Sequence, residues 1–344
     1  MNWIINKPKS KENILNLWVF FREHWKIHVL IVAYFLGTAG NIFAQQDIQF
    51  SQYVFNGLTL NPAYAGYKET TNLNLSYRNQ WTGLVGSPKT VIASIDGMTR
   101  TDKIGLGVLI IQDELGAQSN LSVLAEFSYC LRLNSTSGIR LGLASGINQF
   151  KVDKTKIFGI EKDLIIEGLA GNVLQPDFQF GLFYASQSYF LGLSATELFA
   201  NLKVKNPSYF VIYHTRHYYL QAGALWDLNQ SIKIKPSILL KEDFLGPTNM
   251  DFNLFFLFQE RIWLGASYRA AIPLFRNPLL QTDLTNRDAV SVMLEYYVNP
   301  NLRIGYSFDY STSHLGDAFR GSHEISIGYT LSQRKKIILS PRFF

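Results

Sequence analysis

Along most of its length this chain alternates apolar and polar residues with a period of two. No stretch after Gln45 approaches the run of about 18 apolar residues that a spanning helix needs. A period of two is the mark of a strand, because successive side chains point to opposite faces. In Leu302 to Tyr310 the even positions are apolar or aromatic, and the odd ones are Arg303, Gly305, Ser307 and Asp309. Glu324 to Leu331 and Leu121 to Tyr129 repeat the pattern on odd positions. In Ile232 to Lys241 three lysines and a serine share one face, and Val290, Val292, Leu294 and Tyr296 alternate with Ser291, Met293, Glu295 and Tyr297.

Read this way, the chain holds about fourteen strands. They fall near 70–80, 89–97, 103–113, 119–133, 137–149, 176–186, 188–196, 216–227, 230–242, 249–259, 261–271, 287–298, 301–312 and 321–332. Most have the length that a tilted strand needs to cross a bilayer. The links carry a second pattern. After strands of even rank they are short and polar, as in Asn134-Ser135-Thr136, Leu228-Asn229 and Asn299-Pro300. After strands of odd rank they tend to be longer, most clearly at 150–175, 197–215 and 272–286. Short turns on one rim and long loops on the other predict an all-β fold, a transmembrane antiparallel β-barrel with both termini in the periplasm.

Composition agrees. Charged residues make up 17%, against about 25% in an average soluble protein. Aromatics reach 14%, with 18 Tyr and 25 Phe. Mean hydropathy is +0.02, too low for a bundle of membrane helices. Mid-strand glycines such as Gly105, Gly142, Gly181 and Gly305 suit bending and close backbone approach in a closed sheet. Tyr184, Tyr189, Tyr218, Tyr219, Tyr268, Tyr296, Tyr297 and Tyr310 are expected to form interfacial girdles. The chain ends in Phe343-Phe344, a weak mark of the same class. The alternative is a soluble β-sandwich, which also alternates but buries its apolar faces against each other.

Residues 1–44 read as a signal peptide. Ile27 to Gly40 is an apolar run behind Lys26, too short to span, and Asn41-Ile42-Phe43-Ala44 precedes Gln45 as a cleavage site. The alternative is an N-terminal anchor helix. Removing the leader takes away five basic and two acidic residues and lowers the formal charge from +6 to +3, so half the basic excess is leader and gives no nucleic-acid signal. Residues 45–69 are aromatic and turn-rich, with Asn61-Pro62 as a turn. They are expected to form a periplasmic segment or a short plug in the barrel mouth, followed by the barrel over 70–344.

The sequence offers little chemistry. It has no Gly-rich phosphate loop, His-Glu-x-x-His or Gly-x-Ser-x-Gly motif. His214, His217, His314 and His323 read as solvated loop residues, with a metal site as the lesser alternative. Asp113-Glu114 and the group Glu161, Asp163 and Glu167 fall in proposed outer loops without calcium-loop spacing. Cys130 reads as a free structural thiol, and Glu324 as a lumen or rim residue. No catalytic, cofactor-binding or metal-ligating residue is assigned, no cofactor is implied, and an enzyme is not expected.

Several segments resemble a known family. Gln49-Phe50-Ser51-Gln52-Tyr53 and Asn61-Pro62-Ala63-Tyr64-Ala65-Gly66 are similar to the N-terminal signature of the PorP/SprF proteins of the type IX secretion system. Tyr77-Arg78-Asn79-Gln80-Trp81, Ser87-Pro88-Lys89-Thr90, Arg303 to Tyr310, Gly321-Ser322-His323-Glu324-Ile325 and Ser340-Pro341-Arg342-Phe343-Phe344 continue the likeness, in order, over the mature chain. The terminal Phe-Phe in place of Tyr-Phe, and the long leader, depart from it. The resemblance implies an outer-membrane component of type IX secretion and gliding. It also implies recognition of the C-terminal domain of a large secreted, adhesin-like surface protein, together with other secretion components. It carries over no contact residues. The alternative function is a channel or transporter for small or hydrophobic molecules.

Overall fold

A computed structural model describes residues 49–153, 156, 172–200, 215–272, 274–275, 287–312 and 320–331. Fifteen strands form one antiparallel sheet that closes on itself. They are β1 (Asn72–Asn79), β2 (Lys89–Met98), β3 (Ile104–Leu115), β4 (Gln118–Arg132), β5 (Gly138–Val152), β6 (Asn172–Ala185), β7 (Tyr189–Thr196) and β8 (His217–Ala224), followed by β9 (Trp226–Asn229), β10 (Ile232–Glu242), β11 (Thr248–Phe258), β12 (Ile262–Ile272), β13 (Arg287–Tyr297), β14 (Leu302–Ser311) and β15 (Ser322–Thr330). Closure runs through β1 and β15, paired from Asn72↔Thr330 to Asn79↔His323.

β8 and β9 are two halves of one barrel strand, so the ring has fourteen positions. The break has a local cause. β10 pairs with β8 from Ser237 onward and with β9 up to Ile234. Pro236 lies opposite the gap, and a proline has no N–H to give the ladder. Leu225, in the gap, donates its N–H to Ser188 O at 2.8 Å and so stays on the β7 ladder.

The two walls of the barrel are inverted relative to a soluble protein. On β14, Arg303, Ser307 and Asp309 are buried, while Ile304, Tyr306 and Tyr310 are exposed. Ser307 has no exposed surface, and Tyr310 is 61% exposed. Leu75, Leu143, Val292 and Ile325 are exposed in the same way on other strands. A sandwich would bury these side chains. A ring with its apolar face outward has no unpaired edge, as lipid requires. The helices described are short 3₁₀ turns, and none is long and apolar enough to cross a membrane.

Tyr189, Tyr268, Tyr296 and Tyr310 are exposed on the outer wall, as a girdle requires. The girdle expectation fails for Tyr219, which is buried, and for Tyr297, which is packed against the core. Adjacent residues of a strand must face opposite walls, so 218/219 and 296/297 cannot both lie outside.

The links at one rim are short: 99–103, 133–137, 186–188, 230–231, 259–261 and 298–301. The strand ends at the other rim are joined through 80–88, 116–117, 153–171, 197–216, 243–247, 273–286 and 312–321. Two links of this set are short: 243–247, and Gly116-Ala117, where β3 and β4 continue as a tight hairpin with Gly116 at φ +58°.

Candidate functional site

The lumen is not empty. Residues 49–67 run down its interior, from Gln49 near the long-link rim to Tyr67 near the short-link rim where β1 begins. This plug has three 3₁₀ turns, at Gln52–Val54, Gly57–Thr59 and Pro62–Tyr64. Ser51, Asn61, Ala63 and Ala65 are fully buried.

Its upper part is held by charge. Ser51 donates its N–H to Glu324 Oε2 at 3.0 Å and its hydroxyl to Asp309 Oδ2 at 2.7 Å. Arg78 Nη1 donates to Ser51 Oγ at 3.1 Å. The same guanidinium pairs with Asp309 at 2.6 Å and with Glu324 at 3.2 Å. These four residues come from four separate motif segments, brought together by the closure of β14, β15 and β1. Beside them, Arg269 pairs with Asp251 at 2.9 Å and reaches Gln49 Oε1 at 3.0 Å, and Lys241 lies 3.3 Å from Asp251. Gln52 donates to Glu324 O at 2.8 Å, and Tyr53 shares a hydrogen bond with Asn253.

The lower part is held by backbone fit. Asn61 caps the third turn, accepting from Ala63 N at 2.9 Å, and Pro62 occupies the first helical position, where its missing donor is harmless. The Asn61 amide donates to Leu182 O and Leu193 O on the wall, at 3.1 and 3.2 Å. Ser194 and Ser128 donate to Leu60 O and Ala65 O, both at 2.6 Å. Gly66 turns at φ +66° and donates to Asp96 Oδ2 at 2.9 Å. Two wall glycines make room: a Cβ on Gly142 would collide with Ala63, and one on Gly105 with Ala65. Below, Tyr64 and Tyr67 each meet Phe183 edge to face, at 5.6 and 5.0 Å, and tilt against each other at 5.2 Å.

Above the plug, on the side of β3 to β8, lies a cavity of about 370 Å³ that opens toward the long-link rim. Its floor includes Phe50, Thr59, Leu109 and Leu124, and Gln49 stands at its edge. Its wall carries Asp113, Asp177, Glu197 and His217 and, among the described residues, no Lys or Arg. Asn148 is 4% exposed, and its Oδ1 accepts no hydrogen bond from any described residue; Asn120 Oδ1 is in the same state.

Several residues differ from their expected setting. His217 is not in a solvated loop: it is buried at the start of β8, 3.6 Å from Glu197 and stacked on Tyr219. Asp113 and Glu114 lie in β3 rather than in a loop, and Asp113 accepts from Thr90 at 2.6 Å. The tight hairpin keeps β3 and β4 paired beyond the length expected. His323 sits in β15 and bonds Tyr306 at 2.7 Å. Cys130 is free and buried. Glu324 faces the lumen and is 1% exposed. His214, His314, Glu161, Asp163 and Glu167 lie outside the described residues. No three potential ligands among the described residues are grouped as a metal site would need. Ser51, Arg78, Asp309 and Glu324 were legible as motif residues but not as a cluster, because a period of two gives the face and not the partner.

The decisive observation is the match over residues 42–329 to the family model described as type IX secretion system membrane protein PorP/SprF. The chain belongs to this family. The PorP/SprF match takes in the plug motifs and all fifteen strands to within one residue of the end of β15. No curated protein matches the chain. Solved barrels with low likeness include the outer membrane protein Omp33 of Acinetobacter baumannii, with 7% identity, TM-score 0.46, and coverage of 77% of this chain and all of that one. A monoaromatic hydrocarbon channel, CymD, has 13% identity, TM-score 0.46, and coverage of 88% and 97%. The KdgM porin has 10% identity, TM-score 0.36, and coverage of 76% and 99%. This PorP/SprF chain is thus an outer-membrane β-barrel component of type IX secretion, in a setting shared with other components of that system.

Proposed function

We propose that the protein binds a large secreted, adhesin-like partner through that partner's C-terminal domain and helps to export it or hold it at the cell surface. In this reading the long-link rim faces outward, and the short-link rim, where β1 begins and β15 ends, faces the periplasm. The leader is removed after Ala44, and the protein catalyses no reaction. The observation that supports binding over conduction is the plug. Fully buried Ser51, Asn61, Ala63 and Ala65 lie across the lumen, tied to β1, β4, β6, β7, β14 and β15. A barrel filled in this way resembles a packed core rather than a pore.

The test is purification of the intact protein from native membranes. A large exported protein is expected to co-purify, and to be lost when the long links are shortened while the barrel still folds. Planar-bilayer recordings give the second arm. Steady ion conductance by the partner-free protein would favour the channel or transporter reading instead.

A further inference from the structure

Strand pairing breaks off in a step at the long-link rim. β5 and β6 stay paired up to Lys151↔Asn172, whereas β6 and β7 pair only from Phe180↔Ala195 inward. Past Phe180 the chain after β7 gives β6 a further bond, from Leu198 N–H to Phe178 O at 3.0 Å, across the left-handed turn at Glu197. Beyond that bond, from Asn172 to Pro176, β6 is an edge strand over roughly 17 Å. Alternate residues of an antiparallel strand turn their backbone groups to opposite sides. Ser186 N–H bonds Tyr189 O at 2.8 Å in the turn to β7, and Phe178 O accepts from Leu198, so the even-numbered positions face the β7 side. The N–H and O of Leu174 and the O of Pro176 therefore point out of the sheet, and no described residue pairs with them.

Such an edge is a template for another strand. Lipid cannot hydrogen-bond it, so it belongs above the hydrocarbon layer, on the outward side in the reading above. Pro176 limits what can pair there. It has no N–H, and it sits at a position whose backbone faces the edge. Two copies of β6 laid edge to edge about a two-fold axis would meet that gap twice, whereas a different strand meets it once. The outer face beside the edge is apolar and exposed, at Leu174 and at Ile147, which lies opposite Pro176. We infer that the β6 edge from Asn172 to Pro176 receives an extended strand of the secreted partner, main chain to main chain, with an apolar side chain of that strand set beside Leu174. Main-chain bonds supply the grip, and alternate side chains of the incoming strand supply the selectivity.

This inference rests on the partner reading above, and the experiment separates the two. The full chain is purified from native membranes unchanged, as Leu174→Pro and as Leu174→Thr. Leu174→Pro removes the edge N–H and leaves the bonds to β5 in place. Leu174→Thr replaces the apolar side chain and keeps the N–H. With the barrel folded, Leu174→Pro is expected to lower the yield of the co-purified exported protein several-fold, and Leu174→Thr to lower it little. Hydrogen exchange on the unchanged chain is the second measurement, and it stands even if Leu174→Pro fails to fold. The Leu174 amide is expected to exchange freely in the partner-free protein and to be protected in the complex. Absence of any exported protein from the unchanged chain would overturn the partner reading and this inference with it. Full yield with a folded Leu174→Pro barrel, or a Leu174 amide that stays unprotected in the complex, would overturn this inference alone. An equal loss in Leu174→Thr would assign the contact to the side chain and overturn the main-chain pairing. A Leu174 amide already protected in the partner-free protein would mean that this chain or a second copy covers the edge, and would overturn the inference as well.

Discussion

The two sides of the lumen's upper half are built differently. The side formed by β11, β12, β14, β15 and β1 presses charged residues onto the plug: Asp251, Arg269, Asp309, Glu324 and Arg78 surround Gln49 to Tyr53. The side formed by β3 to β8 stands back and leaves a cavity. Both sides obey the same period of two and place polar residues inward. The difference lies in whether a second chain segment reaches them. Buried ions need partners close by, so the first side fixes the plug's position. The second side lines the cavity with polar groups such as Asp113, Asp177 and Glu197.

The largest effect is expected where the contrast is sharpest. Arg78→Ala leaves Asp309 and Glu324 facing each other without their cation, and loss of one partner from a buried pair costs about 3–5 kcal/mol. Urea unfolding of the detergent-solubilised barrel should show a drop of that order. A change below 1 kcal/mol would mean that the cluster does not hold the plug. Gly142→Val tests the lower grip. The added side chain meets Ala63, and overpacking of this kind costs about 1–3 kcal/mol. The plug should shift and bilayer conductance should rise, whereas a silent barrel of unchanged stability would break the close-fit account.

Ser51→Ala removes the hydroxyl shared by Asp309 and Arg78. An expected loss of about 1–2 kcal/mol follows from unmade hydrogen bonds to charged groups, read from the same unfolding curves. Asn148→Leu on the open side is expected to change stability by about 0.5 kcal/mol or less, because the lost acceptor has no donor among the described residues. A loss as large as that of Arg78→Ala would erase the distinction between the two sides.

The strand pattern was legible because a membrane barrel must keep its two walls chemically different along every strand. The fourteen segments read from the sequence correspond to the fourteen ring positions, β8 and β9 together filling the range 216–227. What alternation could not show was length beyond the alternating core. Asp113 and Glu114 are strand residues because the Gly116-Ala117 hairpin keeps the ladder going. Nor could it separate neighbours in a tyrosine pair, where register alone decides which ring faces lipid. Gln259 and Glu260, at φ 48° and 54°, turn β11 into β12 without the glycine that usually signals such a turn.

The sequence by itself determined the class of solvent on each face, the number of crossings and the family, since these depend on residue type and local spacing. Only the tertiary structure decided which inward residues meet. Ser51, Arg78, Asp309 and Glu324 are up to 273 positions apart. They become neighbours because the ring closes and the chain before β1 folds back inside it. That long-range geometry is set by closure and packing, and no short window of residues contains it.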